Sequence, residues 1–150
     1  MIKLDAVKFK NQLPTKAKIM ALDLGRKKIG IATTDADRIF AIPKTIIARK
    51  SNIIDFNKII SIMQENNIIA VICGLPLMPN GNYGEMANFA VRFATNFETH
   101  YVQQTKQNID ILMFDERLSS FSARNIVGKT SKSYDDVSAS LILQHFLIDC

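Results

Sequence analysis

Short apolar runs alternate with helix-like repeats along this chain of 150 residues. Residues 19–22 and 68–73 are near-continuous apolar runs, a pattern typical of strands that are buried on both faces. Between them, apolar side chains recur at helical spacing over residues 51–66, and Ser51 is suited to be the N-cap. A strand–helix–strand crossover forces its two strands to pair in parallel. The chain is therefore expected to contain a sheet with helices packed on its faces.

The remaining patterns complete an α/β prediction. Two further extended segments, 29–34 and 39–48, precede the first helix. A second helix over 86–97 and a last strand over 109–114 follow the strand at 68–73. A short helix from Ser119 or Ser120 to Gly128 and a final helix over 134–148 close the chain. The order predicts a five-stranded mixed sheet, a three-stranded antiparallel meander plus two parallel strands, with helices on both faces. This order matches the ribonuclease H-like arrangement. Residues 1–17 are Lys-rich without a sustained repeat, so we interpret them as an N-terminal extension to a single domain spanning 18–150.

Basic residues are concentrated in the first part of the chain. Through residue 58 there are 13 Lys and Arg against 5 Asp, whereas the remaining residues carry 6 against 9. A basic half is typical of proteins that bind polyanions, although a solvated lysine-rich surface gives the same balance. No apolar run approaches the ~20 residues of a membrane span, and two cysteines cannot form a disulfide framework. We therefore expect a cytoplasmic protein without a membrane segment.

Acidic residues stand at the ends of three predicted elements. Asp23 ends the first buried strand, Asp115 and Glu116 follow the last strand, and Asp135 and Asp136 begin the final helix. Neighbouring side chains diverge on a strand or a helix, so one member of each pair can face a shared site. A hairpin turn at the first position and helix capping at the last are the structural alternatives.

Clustered carboxylates without His or Cys partners suit Mg²⁺ or Mn²⁺. Two such ions can stabilise the attacking and leaving oxygens of a phosphodiester displacement. Arg26, Lys27 and Lys28 follow Asp23 closely, and they are suited to contact phosphates. The residues thus favour metal-dependent hydrolysis of a nucleic acid.

Four motifs resemble the YqgF or RuvX family in their order and spacing. They are Ala-Leu-Asp-Leu-Gly-Arg-Lys-Lys-Ile-Gly-Ile-Ala at 21–32, Gly-Leu-Pro-Leu at 74–77, Asp-Glu-Arg-Leu-Ser-Ser at 115–120, and Asp135 ahead of Ser138-Ala139 and Ile142-Leu143-Gln144. The resemblance covers nearly all of residues 18–150. It implies a ribonuclease H-like fold and a cytoplasmic bacterial nuclease that processes the 5′ end of pre-16S ribosomal RNA. It also implies that Asp23, Glu116 and Asp135 are the catalytic metal ligands.

Other functions share these features. A Holliday junction resolvase would use the same chemistry on DNA, and a non-catalytic ribosome-assembly factor would use only the basic half to bind RNA. We expect Arg117 to contact phosphate, and the polar loop 128–133 to contribute Lys129 and Lys132 as nucleic-acid contacts or to be simply solvated. A monomer and a homodimer are both compatible with the sequence.

Overall fold

The computed structural model describes residues 1–115 and 134–150, with side chains described for 1–115 and 138–150. Six strands and four helices lie within these ranges: β1 (Ile2–Lys3), α1 (Ala6–Gln12), β2 (Lys18–Leu24), β3 (Lys28–Thr34), β4 (Ala41–Ala48), α2 (Asn52–Glu65), β5 (Ile68–Leu75), α3 (Glu85–Thr105), β6 (Asp110–Asp115) and α4 (Tyr134–Asp149). The predicted helix between Ser119 or Ser120 and Gly128 lies outside the described residues.

The six strands form one mixed sheet in the order β1-β6-β5-β2-β3-β4. The predicted meander is present, because β3 pairs antiparallel with both β2 and β4. The predicted parallel strands are also present, since β5 pairs parallel with β2 and with β6. The expected count of five strands is wrong, because Ile2 and Lys3 form a sixth, pairing parallel with Ile111 and Leu112. A strand of two residues is too short to show a periodic pattern.

Helices cover both faces of the sheet. On the face that we call the α2–α3 face, strand side chains such as Met20 and Leu22 pack against Phe56 of α2 and Phe93 of α3. On the opposite, α1–α4 face, Ile19 and Ala21 belong to a cluster with residues of α1 and α4. Successive residues of β2 thus alternate between two buried clusters, which explains its near-continuous apolar sequence.

Helix α2 confirms the prediction made from its repeat. Ser51 is its N-cap, and the Ser51 hydroxyl accepts a hydrogen bond from the Ile54 N–H at 3.3 Å. Its predicted apolar face is buried at Phe56, Ile59, Ile60 and Met63, whereas Ile53, in the first turn of the same predicted face, is exposed. Among the helices described, none has the length and apolar character needed to cross a bilayer.

The N-terminal segment is packed against the sheet and α4. Phe9 of α1 is 1% exposed and meets the Phe146 ring edge-to-face at a centroid distance of 5.7 Å. The Lys10 ammonium donates to the carbonyl oxygens of Leu147 at 3.2 Å and Cys150 at 2.8 Å, at the end of α4. Residues 2–12 thus contribute to the folded structure without a repeat that reveals them. The domain boundary at residue 18 stays a prediction.

Candidate metal and nucleic-acid site

Asp23 lies one residue before the end of β2, opposite Gly30 of β3. It is half-buried, and its alternation with Ile19 and Ala21 assigns it to the α1–α4 face. Gly25 follows two residues later, just beyond the end of β2. The carboxylate therefore lies across the hairpin from a residue without a side chain.

A recess of about 470 Å³ opens at this position, lined by Asp23, Gly25, Arg26, Lys27, Lys28 and Gly30. Its lining contains one carboxylate and neither imidazole nor thiol, so this part of the site offers a hard divalent cation a single carboxylate ligand. The three basic residues are the ones predicted to contact phosphates. The structure thus brings Asp23 and the predicted cations together in one recess.

The turn between β2 and β3 requires glycine at its first position. The Gly25 N–H donates to the Lys28 carbonyl oxygen at 2.9 Å, which closes the hairpin around Arg26 and Lys27. A Cβ atom on Gly25 would lie 2.7 Å from that same oxygen, closer than side chains tolerate. The tight turn keeps the cations within five residues of Asp23.

Arg26 is held toward α3. Its guanidinium pairs with the Glu85 carboxylate, with Nη2 and Oε1 separated by 2.5 Å, and it lies 5.5 Å from the centroid of the Phe89 ring. Both members of the ion pair are exposed, with 53% and 82% of their side-chain surfaces accessible. An incoming phosphate would therefore compete with Glu85 for this guanidinium.

The end of β6 lies at the same edge of the sheet as Asp23. Because β2, β5 and β6 are parallel, their carboxyl ends meet there, and Leu22 and Phe114 pair with the adjacent β5 residues Cys73 and Gly74. β6 is two strand spacings from β2, roughly 9–10 Å. Asp115 alternates with Phe114 and so belongs to the α2–α3 face, the face opposite to that of Asp23. Glu116, Arg117, Lys129 and Lys132 lie outside the described residues.

The first turn of α4 contains Asp135 and Asp136, as the sequence predicted. α4 covers the α1–α4 face, to which Asp23 also belongs. Among the residues whose side chains are described, no three His, Cys, Asp or Glu residues are close enough to hold a metal ion. Glu116 and the Asp135 side chain are outside that range, so the convergence of the three acids stays a prediction.

Arg49 and Asp55 are two site-related residues that the sequence did not reveal. The Asp55 side chain is fully buried, and its Oδ2 accepts a hydrogen bond from Arg49 Nε at 2.9 Å. The Lys50 backbone N–H also donates to its Oδ1 at 3.2 Å. The available signal was a position: Asp55 precedes Ile59 by four residues and therefore shares the buried face of α2.

A sequence model of the RuvX family, described as "Holliday junction resolvase", matches residues 17–149. The chain belongs to the RuvX family. Its relatives include a protein of Ehrlichia chaffeensis that is 38% identical over 137 residues, covering 87% of this chain and 84% of that protein. A relative in Chloroflexus aurantiacus is 36% identical over 136 residues, covering 86% and 85%. Both carry the name "Putative pre-16S rRNA nuclease".

A solved structure shares the fold of this RuvX family member. Thermus thermophilus RuvC in complex with a Holliday junction substrate aligns with a TM-score of 0.51 at 9% identity, covering 84% of this chain and 91% of that one. At this identity the likeness shows the architecture alone. It confirms the ribonuclease H-like fold predicted from the element order.

The Gly-Leu-Pro-Leu motif of this RuvX family member ends β5, between the two strands that approach the site. The loop that follows is folded on itself: the Met78 N–H donates to the Asn82 carbonyl at 2.9 Å, and the Gly81 N–H to the Met78 carbonyl at 2.8 Å. Gly81 has a φ of 85°, which favours glycine. The motif therefore positions a compact loop at the carboxyl edge of the sheet.

Proposed function

We propose that this RuvX family member is a metal-dependent nuclease that processes the 5′ end of pre-16S ribosomal RNA in the bacterial cytoplasm. The observation that carries the proposal is the recess in which Asp23, at the carboxyl edge of the sheet, is surrounded by Arg26, Lys27 and Lys28. The names of the relatives support the choice of substrate.

Asp23, Glu116 and Asp135 are the proposed ligands for Mg²⁺ or Mn²⁺. Assignment of Asp115 to the opposite face supports Glu116 as the acid contributed after β6. A bound divalent ion would activate a water molecule and offset the negative charge that develops on the scissile phosphate.

The helical repeat of α4 supports Asp135 over Asp136 as the third ligand. The positions three, four and seven residues after 135 are all buried, and they are Ser138, Ala139 and Ile142. After 136, the corresponding neighbours Ala139 and Leu143 are also buried, but Ser140, four residues after it, is half-buried. The repeat therefore relates position 135 more closely to the face that α4 presents to the sheet.

The basic residues would bind and orient the RNA backbone. Lys27 and Lys28 are exposed on the tight turn, where they can meet phosphates next to the reacting one. Arg26 would join them by exchanging Glu85 for a phosphate. Arg117, Lys129 and Lys132 are the remaining proposed contacts.

Cleavage assays on two substrates test this function. The purified protein would be given pre-16S RNA carrying its 5′ extension and, separately, a four-way DNA junction, each with Mg²⁺ or Mn²⁺. We expect cleavage of the RNA near the mature 5′ end by the wild type and none by Asp23→Asn. Cleavage of the junction alone would assign the protein to DNA, and metal-independent RNA binding without cleavage would assign it to ribosome assembly.

A further inference from the structure

Arg49 connects the basic turn to the body of the protein. It directly follows β4, and its backbone N–H donates to the Lys27 carbonyl oxygen at 2.8 Å. Its Nη1 makes a longer contact, 3.5 Å, with the Gly25 carbonyl oxygen. One residue therefore holds two carbonyl groups of the turn that carries the proposed phosphate contacts.

The guanidinium of Arg49 is fixed on its other sides by both covering helices. It pairs with the buried Asp55 carboxylate of α2, and its Nη2 donates to Asn52 Oδ1 at 2.8 Å. It also lies over two rings of α3, 5.6 Å from the centroid of Phe89 and 5.2 Å from that of Phe93. The buried Asp55 carboxylate accepts hydrogen bonds from this guanidinium and from the Lys50 N–H.

Arg49 is enclosed, whereas the proposed phosphate contacts Arg26, Lys27 and Lys28 are exposed, so their roles differ. Only 13% of its side chain is accessible, against 53% for Arg26. Phe89 lies under both guanidinium groups, so the same ring links the enclosed arginine to the exposed one. Arg49 thus has little surface left for a phosphate, and it makes two contacts with the turn.

We propose that Arg49, anchored by Asp55, is a positioning residue for RNA binding. It holds the Gly25–Lys28 turn in the conformation in which Lys27 and Lys28 meet neighbouring phosphates together. A turn that is ordered before binding loses less conformational entropy when the RNA arrives. This inference rests on the proposed function, because it concerns the same RNA at the same recess.

A double-mutant cycle tests the coupling between Arg49 and the turn. The probe is a fluorescein-labelled RNA duplex with a single-stranded 5′ extension, bound by the full chain with Ca²⁺ in place of Mg²⁺, over a series of KCl concentrations. Arg49→Lys keeps a positive charge beside Asp55 and loses the planar fork that reaches Gly25 and the rings. It is compared with the Lys27→Ala/Lys28→Ala protein and with the combination of all three changes. Asn57→Ala is the matched control, because Asn57 also lies on α2 and its side chain contacts His100 rather than Arg49.

We expect Arg49→Lys to weaken binding by roughly threefold to tenfold and to lower the salt slope by about one. In the protein that lacks both lysines, the same change should have little further effect, because the groups it positions are gone. Asn57→Ala should bind as the wild type does. Melting curves establish that each variant is folded.

Two results would overturn the inference while leaving the proposed function standing. One is unchanged binding by folded Arg49→Lys; the other is an equal loss with and without the two lysines. If the double lysine variant itself binds RNA normally, the proposed RNA path fails, and the positioning role fails with it. If Arg49→Lys does not fold, the double variant Arg49→Gln/Asp55→Asn, which removes both buried charges, takes its place. Its effect on RNA binding should likewise be small in the protein that lacks Lys27 and Lys28.

Discussion

Asp23 faces Gly30 across the β2–β3 hairpin, so the carboxylate lies opposite a residue without a side chain. In an antiparallel pair the opposing Cβ atoms are normally about 4.5–5.5 Å apart, and a larger residue would occupy the space beside the carboxylate. Shifting the register by one residue would instead place Ile29 or Ile31 opposite Asp23 and reverse the faces of the strand. The recess thus depends on strand register as well as on the acid itself.

Replacing Asp23 with Asn tests whether the recess is catalytic. The amide keeps the shape of the side chain and removes the charge that would hold a cation, so we expect cleavage to fall by roughly 10²- to 10³-fold or more. The fold and the RNA affinity should change little. Initial rates on the precursor RNA, with melting curves, make the measurement.

Asp37→Asn is the matched control for this substitution. Asp37 is an exposed acid paired with Lys16, which precedes the amino end of β2, away from the recess. Its loss should leave the rate unchanged. Equal rates for Asp23→Asn and the wild type would remove the recess from the reaction.

Glu85→Gln should strengthen RNA binding. The Glu85 carboxylate occupies the Arg26 guanidinium in the free protein, and both groups are exposed, so the pair is weak and easily exchanged. We expect an increase in affinity of about two- to fivefold at low salt, shrinking as salt screens the competing charges. Glu65→Gln, at the end of α2, removes the same charge elsewhere and should give a smaller change. Equal gains from the two variants would mean that only net charge matters.

Gly25→Ala should destabilise the turn and weaken RNA binding together. Its Cβ would meet a backbone carbonyl at 2.7 Å, which cannot move without opening the hairpin. We expect a loss of about 1–3 kcal/mol in the free energy of unfolding, measured by urea denaturation. Gly84→Ala is the comparison, because its Cβ would meet the Met78 side chain at 3.2 Å, which can shift. A Gly25→Ala protein as stable as Gly84→Ala would show that the turn tolerates a side chain.

Asp35 gives an acid-sensitive contribution to the β3–β4 connection. Hydrogen bonds from the Phe40 and Ile39 N–H groups hold the pKa of Asp35 below its usual value of 3.8. Since the folded pKa is the lower one, the ionised carboxylate stabilises the folded state above the unfolded value, and this is lost as pH falls through the folded pKa. We expect Asp35→Asn to lower the melting temperature near neutrality and to converge with the wild type in strong acid. Parallel curves across that range would contradict the assignment.

The long repeats in the sequence predicted the fold well, whereas individual tertiary contacts could not be predicted from it. The α2 repeat and its Ser51 cap are local, so they can be recognised without knowledge of the rest of the chain. The pairing of Ile2 with Ile111 joins residues 109 positions apart, and two residues cannot show a period. Arg49 and Asp55 are close in sequence, but their ion pair forms only because the end of β4 meets the first turn of α2.

The candidate site could be predicted only in part, because some of its features depend on contacts between elements that are distant in the sequence. The position of Asp23 at the carboxyl edge follows from strand direction, which the crossovers determine. The recess beside Asp23 depends on the register between β2 and β3, which hydrophobic alternation determines only after the strands are paired. The Glu85 contact with Arg26 depends on where α3 begins, and no local pattern specifies that placement.

Asp135→Asn and Asp136→Asn distinguish the third metal ligand. If Asp23, Glu116 and Asp135 converge, their mutual repulsion destabilises the metal-free protein. Neutralising Asp135 should therefore raise the melting temperature of the metal-free protein by roughly 2–4 °C for each kcal/mol of repulsion that is removed. Mg²⁺ or Mn²⁺ binds the folded state, and at one hundred times its dissociation constant it should stabilise the wild type by about 2.7 kcal/mol.

Asp135→Asn should lose most of that metal response. Asp136→Asn should retain it and should gain no stability without metal, because an acid in the first turn of α4 already interacts favourably with the helix dipole. The measurement is thermal melting of each protein with and without the ion. If Asp136→Asn shows the paired effects and Asp135→Asn does not, the third ligand is Asp136. An unchanged metal response in all carboxylate variants, Asp23→Asn included, would leave the proposed metal site without support.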